Sequence, residues 1–195
     1  MAANEVQELR RRLDAEVAKR DRLVEVAGLL SSTLKLEQLL VLITEAAAEL
    51  LDAETSSLLL LDDETGELIV DIATGDIGRD VVQKRVPPGV GIAGWVVENG
   101  EPLVVNAPRD DPRFYGDIDA KSGFETKSIV AVPMRTKERV IGVLEVINKR
   151  AGAFDEDDAK LTTALAGQAA TAIDNARLYA RLADAVLTSR LSYRL

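Results

Sequence analysis

The sequence contains neither cysteine nor histidine among its 195 residues. The absence of cysteine excludes disulfides, thiolate metal sites and thiol nucleophiles, and it favours a protein of the reducing cytoplasm. The absence of histidine removes the most common general base and the most common zinc or haem ligand. No serine therefore has a histidine to activate it, and we expect neither an enzymatic activity nor a bound metal.

The sequence also lacks a long apolar run and an excess of positive charge. The most apolar stretch, residues 56–63, reads SSLLLLDD and is much shorter than the roughly 20 residues that span a bilayer. The net charge of −9 would repel the phosphates of nucleic acids and of anionic membrane surfaces. We therefore expect a globular protein with no membrane and no nucleic acid as partner.

The N-terminal segment, residues 1–33, is predicted to form a coiled-coil helix for dimerisation. Residues 4–30 contain no proline and only one glycine, and their apolar residues recur at helical spacing. These apolar residues are Val6, Leu9, Leu13, Val17, Val24 and Ala27. The stripe is narrow and is interrupted by Glu16 and Arg20, which is more typical of a coiled coil than of a helix on a globular core.

Residues 34–180 are predicted to form one α+β domain. The expected elements are a helix over 36–53, a hairpin over 56–73, strands near 82–86 and 102–105, a polar loop over 106–126 and a second hairpin over 127–149. Two hairpins and two further strands indicate a central, mostly antiparallel six-stranded sheet. We expect a helix bundle on one face of this sheet, with short helices and the long loop on the other.

A long helix is predicted from Asp155 to about Arg190, with acidic residues in its first turn, where the helix dipole favours them. Two stripes run along this helix at heptad spacing. One stripe holds Leu165, Gln168, Ala172, Asn175, Tyr179, Leu182 and Val186, and the other holds Ala166, Ala169, Ile173, Ala176, Ala180 and Ala183. We expect one stripe to cover the sheet and the other to meet a second subunit, with residues 181–195 as a signalling extension. The chain is then either the sensor part of a longer protein or a free-standing regulator.

Residues 89–94 read GVGIAG and match the G-x-G-x-x-G pattern of dinucleotide-binding turns. Such a turn requires an apolar parallel strand before it and a long helix after it. Here the preceding segment, VVQKRV, is polar in its middle, and the following helix is interrupted at Asn99–Gly100. Two interpretations remain: the glycines let a short helix approach the sheet, or the first N–H groups of that helix bind a single anion.

Three stretches carry a resemblance to a known family: GVGIAGWVVENGEPLVVNAP, DIDAKSGFETKSIVAVPM and VIGVLEVINKRAGAFDEDDAKL. The chain resembles the GAF domains of cyclic-nucleotide phosphodiesterases and bacterial adenylate cyclases, whose signature is N-K-x(n)-F-x(3)-D-E. Asn148, Lys149, Phe154 and Asp158 fit this signature, whereas Ala159 replaces its final Glu. The resemblance implies an ion pair between Lys149 and Asp158 that braces the last strand against the last helix.

The resemblance also implies a ligand pocket for a cyclic nucleotide, cyclic GMP or cyclic AMP. The implied ligand-binding residues are Ser57, Ile92, Ala93, Tyr115, Asp119, Ser122, Thr126 and Glu145. The cyclic phosphate would lie at Ile92 and Ala93, and Glu145 would accept a hydrogen bond from the base. Ala73 and Thr74 depart from the pattern, because guanine-binding members place an aromatic residue and an Asp there.

The function implied is that of a sensory or regulatory module rather than an enzyme. The module would be a homodimer through its first and last helices, and it would control an output domain or a partner signalling protein. GAF proteins that reduce free methionine sulfoxide use cysteines, which this chain lacks. The alternative is a dimerisation or scaffold module that binds no ligand because its own side chains fill the pocket.

Overall fold

The computed structural model describes residues 36–75, 81–137 and 139–192, together with positions 6, 7, 10, 11, 13 and 17 near the N-terminus. For residues 36 and 179–192 it describes the backbone alone. The six N-terminal positions are helical. The rest of the coiled coil predicted for residues 1–33, and the side chains of the predicted extension 181–195, lie outside the described residues.

The described residues form an α+β domain around one six-stranded sheet, in the strand order β3-β2-β1-β6-β5-β4. The strands are β1 Ala53–Leu61, β2 Leu68–Ala73, β3 Arg85–Val86, β4 Leu103–Val105, β5 Ile129–Arg135 and β6 Val140–Lys149. The helices are α1 Leu36–Leu50, α2 Gly91–Asn99, α3 Asp117–Ser122 and α4 Glu156–Ser192, with a 3₁₀ turn at Pro108–Asp110. All paired strands are antiparallel, which confirms the predicted fold class.

Three predicted boundaries differ from the structure. The strand expected near 82–86 contains only Arg85 and Val86, because Gln83 adopts a left-handed conformation with φ of 68° that is incompatible with an extended strand. The helix expected over 36–53 ends at Leu50, because β1 already begins at Ala53. The polar loop over 106–126, here called the pocket loop, contains the 3₁₀ turn and α3.

One face of the sheet packs against α1 and α4. From α1, six apolar side chains at helical spacing are buried: Leu39, Leu40, Ile43, Ala46, Ala47 and Leu50. From α4, Ala166, Ala169 and Ile173 of one predicted stripe are completely buried in the same cluster, together with the almost completely buried Leu165 of the other stripe. Leu58 of β1 and Leu144 of β6 meet these helices from the sheet. This helix-side core holds the sheet and the two long helices together.

The opposite face of the sheet packs against α2 and the pocket loop in a second apolar cluster, which includes Leu59, Val143 and Ile147. Because successive residues of a strand point to opposite faces, β6 contributes Leu144 to the helix-side core and its neighbours to this second face. The second cluster is the framework of the cavity described below.

The glycine run before α2 serves close packing. A Cβ atom on Gly94 would lie 2.6 Å from the carbonyl carbon of Gly89, so only glycine fits where the helix passes the preceding turn. Gly91 has φ of 77°, in the left-handed region that favours glycine. The preceding strand, β3, runs antiparallel to β2, and α2 has only nine residues. This geometry agrees with the close-approach interpretation and differs from that of a dinucleotide-binding turn.

Candidate ligand pocket

A cavity of about 90 Å³ lies between the second face of the sheet, the start of α2 and the pocket loop. Strands β1, β2, β5 and β6 form its floor, and Phe114, Tyr115 and Phe124 of the pocket loop cover it. The lining is mainly apolar, with a few polar groups that converge from different elements. Such a mixture is typical of small-molecule sites, where the apolar surface excludes water and the polar groups orient the ligand.

Seven of the eight predicted ligand-binding residues line this cavity. They are Ser57, Ile92, Ala93, Tyr115, Asp119, Thr126 and Glu145. Ser122 does not line it, because its hydroxyl turns back into α3 and donates to the backbone carbonyl of Ile118 at 2.7 Å. Residues more than 80 positions apart in sequence therefore converge on one space.

Ser57 and Glu145 form the polar end of the cavity. They are directly opposite each other in the register of β1 and β6, and the Ser57 hydroxyl donates to Glu145 Oε2 at 2.9 Å. Burial raises the pKa of Glu145 to about 7, because the charged form is poorly solvated there, and the hydrogen bond from Ser57 only partly opposes this shift. Among the residues that the structure describes, no lysine or arginine lines the cavity. Glu145 can therefore change between an acceptor-only carboxylate and a protonated donor near neutral pH.

Asp119 and Thr126 close the pocket loop on itself. One carboxylate oxygen of Asp119 accepts from the Thr126 backbone N–H at 2.8 Å, and the other accepts from the Thr126 hydroxyl at 2.8 Å. Both side chains line the cavity, so this pair connects α3 to the segment that leads into β5. Both oxygens of Asp119 are engaged with protein donors, which makes Glu145 the more available acid for a ligand.

On the outer side, the pocket loop is fastened to α2 by an arginine. The Arg113 guanidinium lies over the Trp95 ring, 5.0 Å from its centroid. The same guanidinium donates twice to the Asp111 carboxylate, at 2.9 and 2.7 Å. These hydrogen bonds are the main reason that the pKa of Asp111 falls to about 2. Asp111 thus stays ionised and keeps Arg113 oriented toward the tryptophan.

The sequence reasoning missed several cavity residues, among them Thr55, Phe114, Ile118 and Phe124. The alternation of β1 could have identified Thr55, since residues 55, 57 and 59 share one face of the strand. The aromatic residues of the pocket loop were the second available signal, because large apolar side chains in a polar loop need a surface to cover.

Ala73 and Thr74, the two residues that depart from the pattern of guanine-binding GAF domains, lie at or beside the cavity. Ala73 lines the cavity, and Thr74 is engaged with the edge of β1, where its hydroxyl oxygen accepts from the Ser56 N–H at 2.9 Å. The Thr74 carbonyl oxygen accepts from the Thr55 hydroxyl at 2.5 Å. This corner of the cavity therefore presents a methyl group instead of an aromatic ring.

The four signature residues lie beside the cavity. Asn148 is buried, and its side-chain oxygen accepts from the Lys127 backbone N–H at 2.7 Å while its amide donates to the Glu125 carbonyl oxygen at 2.9 Å. These bonds hold the segment on both sides of Thr126. With φ of 59°, Asn148 occupies a left-handed conformation that asparagine tolerates better than most residues.

The remaining signature residues connect β6 to α4. Lys149 Nζ donates to the Asp158 carboxylate in a largely buried ion pair, the contact implied by the resemblance. Asp155 and Asp158 also cap α4 reciprocally, because Asp155 Oδ1 accepts from the Asp158 N–H at 2.9 Å and Asp158 Oδ2 accepts from the Asp155 N–H at 3.1 Å. Phe154 is buried and exchanges two backbone hydrogen bonds of 2.9 Å with the Asn106 side chain, a contact that the sequence reasoning missed.

The described part of the chain contains no group of three or more acidic side chains arranged to hold a metal ion. A helix with the length and apolarity needed to cross a membrane was likewise not found within that part.

Comparison with known proteins assigns the fold and the family. The family model described as the GAF domain matches residues 33–174, which is well over half of the chain, and the protein therefore belongs to the GAF domain family. The predicted family resemblance is confirmed. The GAF domain from a phosphoenolpyruvate-protein phosphotransferase of Coxiella burnetii superposes with a TM-score of 0.76 at 24% identity, covering 84% of this chain and 96% of that one.

Two curated relatives are phosphodiesterases. The chain is 30% identical over 182 residues to a probable 3′,5′-cyclic phosphodiesterase, pde-5, of Caenorhabditis elegans, and the match covers 88% of this chain and 24% of the relative. It is 37% identical over 99 residues to the dual 3′,5′-cyclic-AMP and -GMP phosphodiesterase 11A of Takifugu rubripes, covering 49% of this chain and 11% of the relative. The chain thus spans about a quarter or less of the length of these relatives. It is a GAF domain of the kind found in signalling proteins.

Proposed function

We propose that this protein is a sensory or regulatory GAF module that binds a cyclic nucleotide, cyclic GMP or cyclic AMP, in the cavity beneath the pocket loop. The observation that carries the proposal is the hydrogen-bonded pair of Ser57 and Glu145 in a mainly apolar cavity. An acid that loses hydration there, with no cationic partner among the described residues, is costly to keep, which favours a role in recognition. The similarity to cyclic-nucleotide phosphodiesterases supports the choice of ligand class.

The chemistry of the cavity suits the two ends of such a ligand. Glu145 offers acceptor oxygens to N–H groups of a purine, and Ser57 offers a hydroxyl that can donate or accept. At the other end, the first N–H groups of α2 have no partner within the helix, and Val90 before them supplies no side-chain cap. Ile92 and Ala93 line the cavity at this helix start, where partial positive charge favours a cyclic phosphate.

Binding requires the pocket loop to move outward. The cavity of about 90 Å³ is smaller than the roughly 300 Å³ or more of typical ligand sites, so a nucleotide would displace part of the aromatic cover. The loop then closes again through the contacts of Asp119 with Thr126. Binding energy would therefore be coupled to the position of the loop, which is the basis of a sensor.

The route from the pocket to an output runs through the signature residues. Asn148 holds the segment around Thr126, and the adjacent Lys149 holds the start of α4 through Asp158. Loop movement on ligand binding would be transmitted along this path to α4, shifting the relative populations of two helix arrangements.

We further propose a homodimer formed through the terminal helices. Among the α4 side chains that the structure describes, which end at Leu178, the last completely buried one is Ile173, whereas the helical backbone continues to Ser192, about 28 Å further at 1.5 Å per residue. Gln168 and Asn175, from the predicted stripe that begins at Leu165, are exposed, as are Val41 (41%) on α1 and Leu178 (55%) on α4. These residues are available to a second subunit, and α4 would lead to an output domain or partner. Cytoplasmic localisation and the absence of enzymatic activity stay predictions from the sequence.

The proposal is tested by thermal denaturation in the presence of cyclic GMP and of cyclic AMP. A ligand at 100-fold its dissociation constant should stabilise the folded state by about 2.7 kcal/mol. The double variant Glu145→Ala with Thr126→Ala should abolish the shift while leaving the dimer intact in sedimentation. Ser122→Ala is the matched control: because its hydroxyl lies outside the cavity, the shift should persist.

A second candidate function is a dimerisation scaffold whose pocket is filled by its own side chains. The observation that favours it is the small cavity beneath Phe114, Tyr115 and Phe124. The scaffold interpretation predicts no thermal shift with either cyclic nucleotide or with small carboxylates, and no effect of Glu145→Ala on the output.

A further inference from the structure

The pocket loop separates the cavity from a groove on the outer surface. This outer groove of about 320 Å³ is lined by Trp95, by residues 89–91 and by residues 112–115. Four residues line both spaces: Val90, Gly91, Phe114 and Tyr115. They form a wall shared by the outer groove and the inner cavity.

Among the described residues, few contacts within this wall fix the position of the pocket loop. A Cβ atom on Gly91 would lie only 3.1 Å from Tyr115 Cβ, so the glycine lets Tyr115 pack closely against the start of α2. The Tyr115 hydroxyl donates to Asp117 in the same loop at 2.9 Å, which does not tie the loop to another element. A further contact with α2 is made by Arg113, two residues earlier in the loop, which stacks on Trp95.

Arg113 is the residue that fastens this part of the loop to α2. Its guanidinium stacks on Trp95, and its two-pronged hydrogen bond to Asp111 fixes the direction in which the side chain extends. The Arg113 side chain is 34% exposed and the Asp111 side chain 14%, so the assembly lies at the surface and can detach without unfolding the domain. Neither residue lines the inner cavity. They would act on a ligand only through the position of Phe114 and Tyr115.

We propose that Arg113, oriented by Asp111 and stacked on Trp95, is the latch of the pocket loop, and that ligand enters where Phe114 and Tyr115 separate the cavity from the outer groove. Arg113 and Trp95 are thus positioning residues. The entry route rests on the proposed function, whereas the latch is a property of the ligand-free protein. Because neither Arg113 nor Asp111 lines the cavity, loss of the latch should speed loop opening both with and without ligand.

The latch is tested first without ligand, by the fluorescence of Trp95, the only tryptophan of the chain. Arg113→Ala should increase the acrylamide quenching constant of Trp95 by about twofold, because the ring loses the guanidinium that covers it and the loop opens more often. Arg113→Lys, which keeps a cation but loses the two-pronged bond, should lie between the native protein and Arg113→Ala. Arg109→Ala, an exposed arginine of the same loop that pairs with Glu125, is the matched control and should leave quenching unchanged.

The entry route is tested by stopped-flow kinetics with cyclic GMP. In Arg113→Ala, the association and dissociation rate constants should both rise by roughly two- to tenfold, while Kd changes by less than about twofold. A merely structural defect would instead lower the fraction of binding-competent protein or raise Kd alone.

The outcomes separate the two proposals. Unchanged quenching of Trp95 in Arg113→Ala overturns the latch, whatever the ligand. Faster dissociation without faster association overturns the entry route through the wall. A native protein that binds neither cyclic nucleotide overturns the proposed function and the entry route together, and the quenching result still decides the latch.

Discussion

Both faces of the sheet are largely apolar, but only the pocket-side face carries a pair of polar side chains beside a cavity. On the helix side, Leu58 and Leu144 pack with the alanine-rich surface of α4 and exclude solvent completely. On the pocket side, the adjacent positions Ser57 and Glu145 pair with each other beside an unfilled space. Neighbouring residues of β1 and of β6 therefore face different surroundings: one packs against the helices, and the next lines the cavity.

This contrast has an energetic consequence. Burial of Leu144 stabilises the fold through apolar area removed from water, whereas burial of Glu145 destabilises it because the carboxylate loses hydration. Apolar burial in the helix-side core therefore offsets the free-energy cost of burying Glu145 on the pocket side. Changes on the helix side should alter folding with little effect on ligand specificity, and changes on the pocket side should do the reverse.

The largest expected effect is that of Leu144→Ala on the helix side. Truncating a fully buried leucine should lower the free energy of unfolding by about 3–4 kcal/mol, measured by urea denaturation. Ile147→Ala on the pocket side is the counterpart and should cost about 2 kcal/mol, because Ile147 already borders a cavity and fewer packed neighbours are lost. Equal losses at the two sites would contradict the proposed division between the faces.

On the pocket side, Glu145→Gln should stabilise the ligand-free protein at high pH. The pKa of Glu145 is raised from 4.5 to about 7 in the folded state, so between these values the folded protein holds a proton that the unfolded chain releases. Stability therefore falls as pH rises through this interval. At 1.36 kcal/mol per pKa unit, the native protein should lose up to about 3 kcal/mol between pH 4 and pH 8 relative to Glu145→Gln.

Urea denaturation of both proteins across this pH range measures the difference. Asp119, the other acid of the cavity, is unchanged in the variant and cancels from the comparison. A difference that does not depend on pH would show that Glu145 titrates as an ordinary exposed carboxyl group.

Asp158→Asn should destabilise the protein by about 2 kcal/mol through the loss of the ion pair with Lys149. The value lies below the 3–5 kcal/mol of fully buried pairs, because the Lys149 side chain is 17% exposed. Asparagine keeps an oxygen that can cap α4, so the substitution removes the negative charge without removing the cap. Calorimetry provides the measurement, and Lys149→Met in the same background should cost little more, since the two residues act as a pair.

Titration of Glu145 should also change the preference between the two cyclic nucleotides. The carboxylate accepts from the N1–H and amino group of guanine, whereas the protonated form can donate to N1 of adenine and accept from its amino group. Because the affinity ratio of cyclic GMP over cyclic AMP follows the ratio of carboxylate to carboxylic acid, it should rise by up to about 100-fold between pH 6 and pH 8. Isothermal titration calorimetry tests this, and the ratio should be independent of pH in Glu145→Gln.

The smallest effect is expected on the exposed side of α4. Lys160 pairs with Asp157 at 2.9 Å, but both side chains are largely in solvent. Lys160→Ala should change the melting temperature by less than about 1 °C, because exposed ion pairs contribute little. A larger shift would indicate that this surface is covered in the dimer.

Much of the fold follows from local patterns. The buried face of α1 and the stripe of α4 that covers the sheet were predictable, because helical periodicity identifies which residues share a face. The strand predicted near 82–86 is longer than the observed one, because nothing in the local sequence reveals the left-handed backbone of Gln83. The site was predictable only in part: the family signature led to Ser57 and Glu145, but Thr55, Phe124 and the stack of Arg113 on Trp95 were missed.

The sequence by itself determined the family, the periodicity of each element and the absence of thiol and imidazole chemistry, since these depend on residue identity and spacing along the chain. The tertiary structure alone decided that Ser57 lies opposite Glu145, 88 positions away, and that Arg113 reaches Trp95. It also decided that Ser122 turns away from the cavity while Thr126 faces it. Strand register and loop closure place such residues together, and both are set by contacts between segments distant in sequence.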